Sequence, residues 1–367
     1  MRRTVAFVVN DEPGGALARR AESLADRLRP DSSIIVLCRG RRKVLAILRF
    51  IVNLADARPE IVYVFDMGYS GVLAGVFYKL VSRRPLIIET GDVISALARS
   101  LGRTAVGLWL TERLESLAFA VADRIVVRST TFQDVLKERG VENVVVIPDG
   151  VDTQIFTPRQ AGCLRADLGL NDALVVGVVG TCRWSPTLNW CYGMELVEAM
   201  RWLIGEPVKG LIVGDGDGLP LLKKRARELG VADRLVFVGR VPYEELPEYI
   251  NAMDVCLSTQ TNDLVGHVRT TGKLPLYLAC GRFVLATRVG EAARVLPEGM
   301  LVPCQGVIDP DYPRRLAERI RELLHQRELL AEGMRLRQIA REMFDYDLLA
   351  RQLKALLVEV VRTKHGE

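Results

Sequence analysis

The chain has 367 residues, of which 49% are hydrophobic and 26% charged, and its 50 basic and 45 acidic residues give a net charge of +5. This composition excludes a disordered or fibrous protein, and the length fits two domains of ordinary size. The mild basic excess does not by itself imply a nucleic-acid partner.

Cysteine spacing and apolar runs narrow the class of protein further. The seven cysteines are scattered without a CxxC pair or a histidine at ligand spacing, so we expect mostly buried thiols and no metal cluster. The first apolar run is too short for a signal peptide, and no run of about 18 uncharged apolar residues follows. The sequence therefore predicts a cytoplasmic protein.

Six short β-branched runs alternate with helical segments in the first half of the chain. Parallel strands need crossover helices and are buried on both faces, so this alternation predicts a doubly wound α/β domain. The helical spacing is clear at 16–28 and 111–122. The predicted strands are 5–9, 33–38, 61–65, 86–89, 124–127 and 144–147.

The same pattern restarts after Pro158, which predicts a second sheet rather than an extension of the first. From 311 onward the sequence is mostly helical, with apolar residues spaced for one buried stripe. Ligands bind α/β sheets at the carboxyl ends of strands, so we expect the working site in a cleft between the two domains. The strands predicted here are 174–179, 210–213, 235–238, 255–257 and 283–286, with helices at 219–229 and 244–252.

Residues 144–158, VVVIPDGVDTQIFTP, run from a strand into a Pro-Asp-Gly turn and then to Phe156 and Pro158. The segment resembles the mid-chain signature of the family 4 glycosyltransferases, and the resemblance extends over nearly the whole chain. It implies the GT-B fold, with two Rossmann-like doubly wound domains facing a cleft. The implied parts are an acceptor-side domain at 1–157, a nucleotide-sugar donor domain at 158–342 and a helix at 343–367 that crosses back onto the first domain.

Four residues of the first half are candidates for the acceptor side. Gly14 and Gly15 follow the first strand and would leave helix N–H groups for an anion, or they form only a tight turn. Asp92 follows the fourth strand, and we expect it to orient or deprotonate an acceptor hydroxyl as a catalytic residue or to cap a helix. The resemblance adds Asp149, in the signature turn.

In the donor domain, the resemblance assigns the diphosphate to the segment after Gly180. Relatives have an arginine and a lysine there, whereas here Arg183 comes two positions late and Pro186 stands about where the lysine is expected. Arg183 is predicted to stabilise the charge that grows on the departing diphosphate. The alternative is a solvated surface arginine.

Two further glycine turns match the family in the donor domain. Gly214 and Gly216 lie in the sequence GDGDG, which resembles the family's GdG turn. A DxD metal site is the alternative, and we disfavour it because glycosyltransferases of this fold usually need no metal. Gly239, Arg240 and Val241 form a turn that lies beside the nucleotide base in relatives, so we expect base or ribose contacts.

The largest departure from the family lies at 258–281. Relatives usually have two glutamates spaced E-x7-E, one near the reacting sugar and one on the ribose, whereas Val268 and Leu276 stand at or near these positions. Thr271, Gly272 and Lys273 open the next predicted helix. Free N–H groups and an ammonium group together predict a phosphate site, which would supply the charge missing at position 186.

Two polar residues border this segment. His267 lies beside the position of the first lost glutamate, and the sequence leaves open whether it takes over a catalytic role. Glu291 follows Gly290 in a turn that resembles the family's GG-x-x-E motif in a shortened form, so the resemblance makes Glu291 a predicted donor contact. The alternative for Glu291 is an ordinary solvated glutamate.

A basic cluster precedes the apolar segment VLAILRFIVNLA. The cluster predicts either peripheral contact with anionic lipid headgroups or a solvated start to a helix that faces the core, and we favour the second. Its members are Arg39, Arg41, Arg42 and Lys43.

The resemblance as a whole implies transfer of a sugar from a nucleotide diphosphate sugar to a glycan, lipid-linked or small-molecule acceptor, with retention and without a metal or other cofactor. Two alternatives stay open. One is a related protein that binds without catalysis, favoured by the missing glutamates. The other is a nucleotide-sugar epimerase of similar architecture, disfavoured because the chain has three histidines.

Overall fold

The computed structural model describes residues 3–365, which form two parallel six-stranded sheets, each in a compact unit of its own. Unit 1 contains the residues through 150, the short segment 268–270 and the residues from 345 onward. Unit 2 contains residues 151–267 and 271–344. Two parallel α/β sheets confirm the predicted fold class.

The sheet of unit 1 has the strand order β2-β1-β3-β4-β5-β6, with every neighbour parallel. Its central strands are buried along their whole length, which requires helices on both faces. The strands are β1 Arg3–Val9, β2 Ser32–Cys38, β3 Ile61–Phe65, β4 Leu86–Thr90, β5 Arg124–Val127 and β6 Val144–Val146. The helices are α1 Ala16–Leu28, α2 Lys43–Ala57, α3 Tyr69–Ser82, α4 Ile94–Ser100, α5 Ala105–Val121, α6 Thr130–Glu138 and, from the carboxyl-terminal segment, α16 Tyr346–His365.

Alternate residues of these strands belong to two separate apolar cores. Val62 and Val64 of β3 pack with α2, α3, α5 and α6 on one face of the sheet. Ile61, Tyr63 and Phe65 pack with α1 and α16 on the other face. Because successive strand side chains point to opposite faces, the sheet separates the two cores.

The sheet of unit 2 has the order β11-β10-β7-β12-β13-β14 and is likewise parallel. The predicted strands are present, whereas the antiparallel pair β8 and β9 and the edge strand β14 were not predicted, since two residues show no alternation. The strands are β7 Leu174–Val179, β8 Trp184–Ser185, β9 Trp190–Cys191, β10 Val208–Val213, β11 Leu235–Gly239, β12 Val255–Ser258, β13 Phe283–Thr287 and β14 Leu301–Val302. The helices are α7 Gly162–Asp167, α8 Met194–Met200, α9 Leu219–Glu228, α10 Leu246–Asn251, α11 Leu264–Val268, α12 Lys273–Ala279, α13 Gly290–Val295, α14 Tyr312–His325 and α15 Glu332–Ile339.

Two properties expected from the sequence concern thiols and membrane spans. All seven cysteines are unpaired, and four of them are buried, which confirms the expectation of mostly buried thiols. Within residues 3–365, no helix combines the length and the apolar character needed to cross a bilayer.

We expect the packing of α16 against α1 to contribute strongly to the stability of unit 1. Leu353 is fully buried in the core that α16 shares with α1, so Leu353→Ala should lower the free energy of unfolding by about 2–5 kcal/mol. Urea denaturation followed by circular dichroism measures this loss. The neighbouring exposed residue provides the control, since Gln352→Ala should change stability by less than about 0.5 kcal/mol. Equal losses in both variants would contradict the assigned packing.

Candidate functional site

A buried carboxylate lies at the carboxyl end of β4 in unit 1. Glu89 Oε1 accepts hydrogen bonds from Arg20 Nε at 2.9 Å and from Arg128 Nε at 3.0 Å. Its Oε2 accepts one from the Tyr63 hydroxyl at 2.7 Å. Arg20 also donates to the carbonyl oxygens of residues 147 and 148. This network therefore fixes α1 to the ends of three strands.

The pKa values of two carboxylates at this edge are shifted in opposite directions. Burial alone would raise the pKa of Glu89, but the charges of Arg20 and Arg128 and the Tyr63 hydroxyl hold it below its usual value. For Asp66, which follows β3, burial raises the pKa despite the opposing charge of Arg128. Asp66 therefore retains a proton to a higher pH than Glu89 does.

The short segment 268–270 contributes two polar side chains to the same edge. Arg269 forms a bidentate pair with Asp92, at 2.7 Å from Nε to Oδ1 and 3.1 Å from the second nitrogen to Oδ2. The Thr270 hydroxyl donates to Asp149 Oδ2 at 2.6 Å. Two of the predicted acceptor-side carboxylates are therefore fixed by residues that are distant in sequence.

Asp92 does not cap the following helix. Helix α4 begins at Ile94, its N-cap residue is Val93, and no side chain accepts a hydrogen bond from its first turn. The capping alternative is therefore wrong. The Asp92 carboxylate is instead oriented by Arg269, and its predicted role toward an acceptor stays a prediction.

The glycine pair after β1 forms a turn that is closed by an aspartate. Asp11 Oδ1 accepts from the N–H of Glu12 at 2.9 Å, and Oδ2 accepts from the N–H of Leu17 in the first turn of α1 at 3.1 Å. A Cβ at Gly15 would lie 2.1 Å from Asp11 Oδ2, and Gly14 has φ +75°. These glycines therefore permit the Asp11 contacts, and binding of an external anion stays a prediction.

In unit 2, the ends of three neighbouring strands approach each other through backbone atoms. Gly214 N donates to Gly239 O at 2.8 Å, and Gly180 N donates to Val213 O at 3.0 Å. Gly214 has φ +145°, and a Cβ there would lie 1.8 Å from Gly180 O. Only glycine fits this approach, which explains the first glycine of the GDGDG turn.

The rest of the GDGDG turn follows the same principle. A Cβ at Gly216 would lie 2.5 Å from Cys182 O. Asp215 Oδ1 accepts from the N–H of Gly216 at 2.8 Å, and Asp217 Oδ1 accepts from the N–H of Trp184 at 2.8 Å. Both aspartates thus hold loop backbone. Within residues 3–365, no cluster of three or more potential metal ligands of the types His, Cys, Asp and Glu occurs.

Lys273 brings an ammonium group to these strand ends. It is the first residue of α12, and its Nζ lies 3.3 Å from the ring centroid of Tyr192 and 3.2 Å from the place a Cβ on Gly180 would occupy. The Tyr192 hydroxyl donates to Leu257 O at 2.6 Å, which fixes the ring. The hydroxyl of Tyr277 accepts from the N–H at the end of β7 at 2.8 Å. A cation is therefore held beside Gly180, where the resemblance expects the diphosphate.

The other predicted donor contacts differ in exposure. Arg183 is exposed and lies between buried Cys182 and the short strand β8. Gly239 ends β11 with φ +84°, Arg240 is exposed and Val241 is half-buried. These placements leave Arg183 and the Gly239 turn accessible to a ligand.

Four predicted residues lie near the ends of β12 and β13: Thr271 and Gly272 directly before α12, His267 on α11 and Glu291 on α13. Thr271 shares a hydrogen bond of 3.0 Å with Ser258, the last residue of β12, and Gly272 is exposed. His267 Nε2 lies 2.8 Å from Asn262 Oδ1. Glu291 is buried in the first turn of α13.

The positions of the missing glutamates are apolar in the structure as well. Val268 is fully buried in a core of unit 1, and Leu276 is 8% exposed on α12 in unit 2. Helix α12 has only seven residues, so its dipole adds less to an anion site than the sequence pattern suggested. The positive charge at its start therefore comes mainly from Lys273.

Several polar residues of these clusters were not predicted. Arg20 and Arg128 appear in the sequence as ordinary charged residues, and nothing in their spacing shows that they are buried against Glu89. Asp66 follows a predicted strand directly, which is the signal that would have identified it. Arg269 and Asp92 are 177 positions apart, so one sequence alone does not reveal the pair.

Comparison of the sequence with known proteins gives a family and several relatives. Residues 174–326 match the family model described as glycosyl transferases group 1. A D-inositol 3-phosphate glycosyltransferase of Geodermatophilus obscurus is 31% identical over 236 residues, which is 60% of this chain and 50% of the relative. A 2-deoxystreptamine glucosyltransferase of Streptomyces kanamyceticus is 30% identical over 125 residues, 33% of this chain and 32% of the relative. The chain spans about half the length of the D-inositol 3-phosphate glycosyltransferases it matches.

Solved structures resemble the whole described fold. HepE of Anabaena, determined with UDP and glucose, has a TM-score of 0.78 and 20% identity, covering 98% of this chain and all of that chain. Sucrose-phosphate synthase of Thermosynechococcus elongatus has a TM-score of 0.80 and 18% identity, covering 99% of this chain and all of that one. At these identities the likeness concerns the fold.

The buried network around Glu89 predicts a pH-dependent stability. The folded-state pKa of Glu89 lies below its unfolded value, so its contribution is present above the unfolded pKa and is lost as pH falls through the folded one. Glu89→Gln leaves two buried arginines without their anion and should lower the free energy of unfolding by about 3–5 kcal/mol near pH 7. Urea denaturation at neutral and acidic pH should show this difference shrinking as pH falls.

The matched control for Glu89 is an exposed ion pair. Glu359 pairs with Arg124, and Glu359→Gln should cost less than about 1 kcal/mol at any pH. A Glu89→Gln variant that is as stable as the wild type near neutral pH would contradict the assigned role of the network.

Proposed function

Because the chain belongs to the group 1 glycosyltransferases, the family 4 enzymes of the GT-B fold, we propose that it transfers a sugar from a nucleotide diphosphate sugar to an acceptor hydroxyl. The bond from the anomeric carbon to the diphosphate breaks, and the nucleoside diphosphate leaves as an anion. The transferred sugar forms a new glycosidic bond, with retained configuration and no metal ion. The protein must therefore stabilise negative charge on the leaving group.

The position of Lys273 carries this proposal. Its ammonium lies beside Gly180 at the end of β7, packed 3.3 Å from the ring centroid of Tyr192. A fixed cation at the carboxyl ends of parallel strands is suited to an anionic ligand, since it needs little reorganisation as charge develops. Lys273 thus supplies the charge that relatives place closer to the glycine.

Arg183 and the Gly239 turn complete the proposed donor contacts. Arg183 is exposed in the loop that follows Gly180, so its guanidinium is available for the second phosphate. Gly239, Arg240 and Val241 would contact the nucleotide base or ribose. Thr271 and Gly272, which precede α12, and Glu291, in the first turn of α13, remain secondary candidates.

The first donor to test is a uridine diphosphate hexose. HepE was determined with UDP and glucose, and a curated relative is named a glucosyltransferase. These ligands and names belong to those proteins, and they motivate UDP-glucose as the initial probe here. The acceptor is a separate question, for which D-inositol 3-phosphate is one starting point because several relatives carry that name.

On the acceptor side we propose Asp92 as the residue that orients the acceptor hydroxyl. Its carboxylate is held in a bidentate pair by Arg269, so its direction is fixed before an acceptor binds. Asp149, hydrogen-bonded by Thr270, would assist on the same edge of unit 1. Gly14 and Gly15 would contribute backbone to the same acceptor-side surface.

A second candidate is a protein that binds the nucleotide sugar without turning it over. The observation that favours it is the burial of Val268 and Leu276, because neither position presents a carboxylate. His267 directly precedes Val268, and its ring is hydrogen-bonded to Asn262. Binding of UDP-glucose without hydrolysis or transfer to any acceptor would establish this alternative.

Removing the Lys273 ammonium should lower the catalytic efficiency more than it lowers the stability of the fold. We expect Lys273→Met to lower kcat/KM for the sugar donor about a hundredfold or more, since it removes charge stabilisation of the leaving diphosphate. Lys273→Arg should retain part of the activity. We also expect UDP-glucose to raise the melting temperature of the wild type, and this stabilisation should be largely lost in Lys273→Met.

An exposed lysine of the same unit serves as the control for Lys273. Lys224 is exposed on α9 and forms a surface ion pair with Glu228. Lys224→Met should therefore leave kcat/KM and the thermal shift unchanged. Lys273→Met with wild-type affinity for UDP and wild-type turnover would rule out the proposed diphosphate role.

Substitution of Asp92 should slow transfer to the acceptor without weakening donor binding. We expect Asp92→Asn to lower the rate of transfer about a hundredfold while leaving the affinity for UDP-glucose unchanged. Asp26 is an exposed aspartate of unit 1, and Asp26→Asn should change neither quantity. Isothermal titration measures donor binding, and a radiolabelled transfer assay measures the rate. An equal loss of donor affinity in Asp92→Asn would argue against an acceptor role.

A further inference from the structure

Unit 1 exposes an unusual number of large apolar side chains on one helical layer. Of the 22 exposed large hydrophobic residues in the described part of the chain, 14 lie on α2, on α3 or in the α4–α5 region. They are Val44, Leu45, Leu48, Val52, Tyr69, Leu73, Phe77, Leu80, Val81, Leu101, Val106, Trp109, Leu110 and Leu117. We call these residues the apolar face.

The apolar face is formed by stripes at helical spacing. Helix α2 buries Ala46, Phe50 and Leu54 in the core, which confirms that this helix faces the core. The same helix exposes Val44 (70%) and Leu48 (64%), which lie one turn apart on its outer side. This helix is therefore apolar on its inner and its outer side.

Helix α3 has the same arrangement as α2. It exposes Tyr69, Leu73, Phe77 and Leu80 at intervals of three or four residues, while Val72 and Val76 are buried. Helices α2 and α3 pack against each other, and α3 packs against α5 on the same face of the sheet. The exposed stripes are therefore neighbours and form one continuous surface.

The apolar face is bordered by positive charge. The ranges 39–58, 69–84 and 94–117 contain 12 Lys and Arg against 3 Asp and Glu, whereas the remaining chain has 38 basic against 42 acidic residues. The acidic residues are Asp56, Glu112, which pairs with Arg99, and buried Glu115. The net positive charge of the chain is thus concentrated here.

Exposed basic residues lie beside the stripes, several of them at the ends of the helices. Arg41, Arg42 and Lys43 begin α2 and are exposed, and Arg41 is 92% exposed despite a distant approach to Glu12. Exposed Arg83 and Arg84 follow α3. Exposed Arg103 and Arg113 border the apolar residues of α5. Large apolar side chains surrounded by cations match an anionic bilayer surface. The apolar side chains would enter the boundary of the acyl chains, and the cations would contact the anionic headgroups.

We propose that the apolar face docks unit 1 on an anionic phospholipid membrane. A second copy of the chain is a poorer occupant, because a two-fold interface would bring this basic border against its own copy. Single exposed apolar residues are ordinary on a soluble surface, whereas a contiguous set of this size marks an interaction site. The proposal concerns a surface of unit 1 and does not rest on the proposed catalytic function.

Vesicle sedimentation tests the proposal. The purified chain is mixed with sucrose-loaded vesicles of phosphatidylcholine alone or with phosphatidylglycerol at roughly a third of the lipid. We expect binding to the anionic vesicles at low salt, weakened at least about tenfold by the neutral composition or by roughly 0.5 M salt.

Two triple variants separate the contributions of charge and apolar contact. Arg41→Glu/Arg42→Glu/Lys43→Glu should weaken binding to anionic vesicles at least about tenfold. Leu48→Ser/Phe77→Ser/Val81→Ser should do so to a similar extent at low salt, about tenfold or more. These side chains are exposed, so both variants should keep the melting temperature of the wild type and its thermal response to UDP-glucose.

Matched controls come from the exposed surface of unit 2. Trp202→Ser/Ile204→Ser/Ile308→Ser removes three exposed apolar side chains, and Arg314→Glu/Arg327→Glu/Arg335→Glu reverses three exposed charges. Both controls should bind anionic vesicles like the wild type. A loss in the controls equal to that in the unit 1 variants would show nonspecific adsorption and overturn the proposal.

Trp109 provides a direct readout of contact with lipid. It is 53% exposed and lies on the apolar face, so lipids brominated on their acyl chains should quench part of the tryptophan fluorescence. The Trp109→Phe variant should lose that quenching while still sedimenting with vesicles.

Three results would overturn the proposal. They are failure to sediment with anionic vesicles at low salt, binding that the unit 1 variants do not alter, and sedimentation without quenching of Trp109. A dimer that light scattering detects in the wild type and not in the Leu48→Ser/Phe77→Ser/Val81→Ser variant would assign the apolar face to a second copy instead. Loss of membrane binding with intact UDP-glucose binding separates this test from that of the proposed function.

Discussion

The carboxyl ends of β7, β10 and β11 approach each other so closely that their backbones are in contact, and the proposed donor site depends on this constraint. Gly214 has no room for a Cβ, because that atom would lie 1.8 Å from the carbonyl oxygen of Gly180. The absence of side chains at these glycines leaves room for Lys273, whose ammonium lies beside Gly180 and over Tyr192. The charge proposed to hold a diphosphate is therefore positioned by a requirement of the backbone.

Unit 1 has two distinct regions with proposed functions, a polar network at the edge of its sheet and the apolar face. At the carboxyl edge of its sheet, buried Glu89 is neutralised by Arg20 and Arg128, and that pairing offsets the cost of removing three charges from water. The same edge holds Asp92 through Arg269. On one face of the sheet, the outer sides of α2, α3 and α5 are apolar although they face solvent. Charged chemistry and membrane contact are thus proposed for different parts of one small unit.

The sequence predicted the parallel sheets well because buried parallel strands are nearly continuous apolar runs, such as 61–65 and 174–179. It identified the glycine turns because glycine is required where backbones meet, and it placed Lys273 at the start of a helix, where the structure has it. It did not predict the Arg269 and Asp92 pair, since contacts over 177 positions leave no local pattern. For the apolar segment of α2 it left lipid contact and a core-facing helix as alternatives, because periodicity identifies an apolar stripe without showing whether the stripe is covered.

The most direct measurement is a crystal structure of the chain with UDP bound. The account predicts that Lys273 Nζ lies within about 3 Å of a diphosphate oxygen and that the diphosphate rests beside Gly180. A structure in which Lys273 stays on the Tyr192 ring while the diphosphate binds away from the ends of β7 and β10 would contradict it.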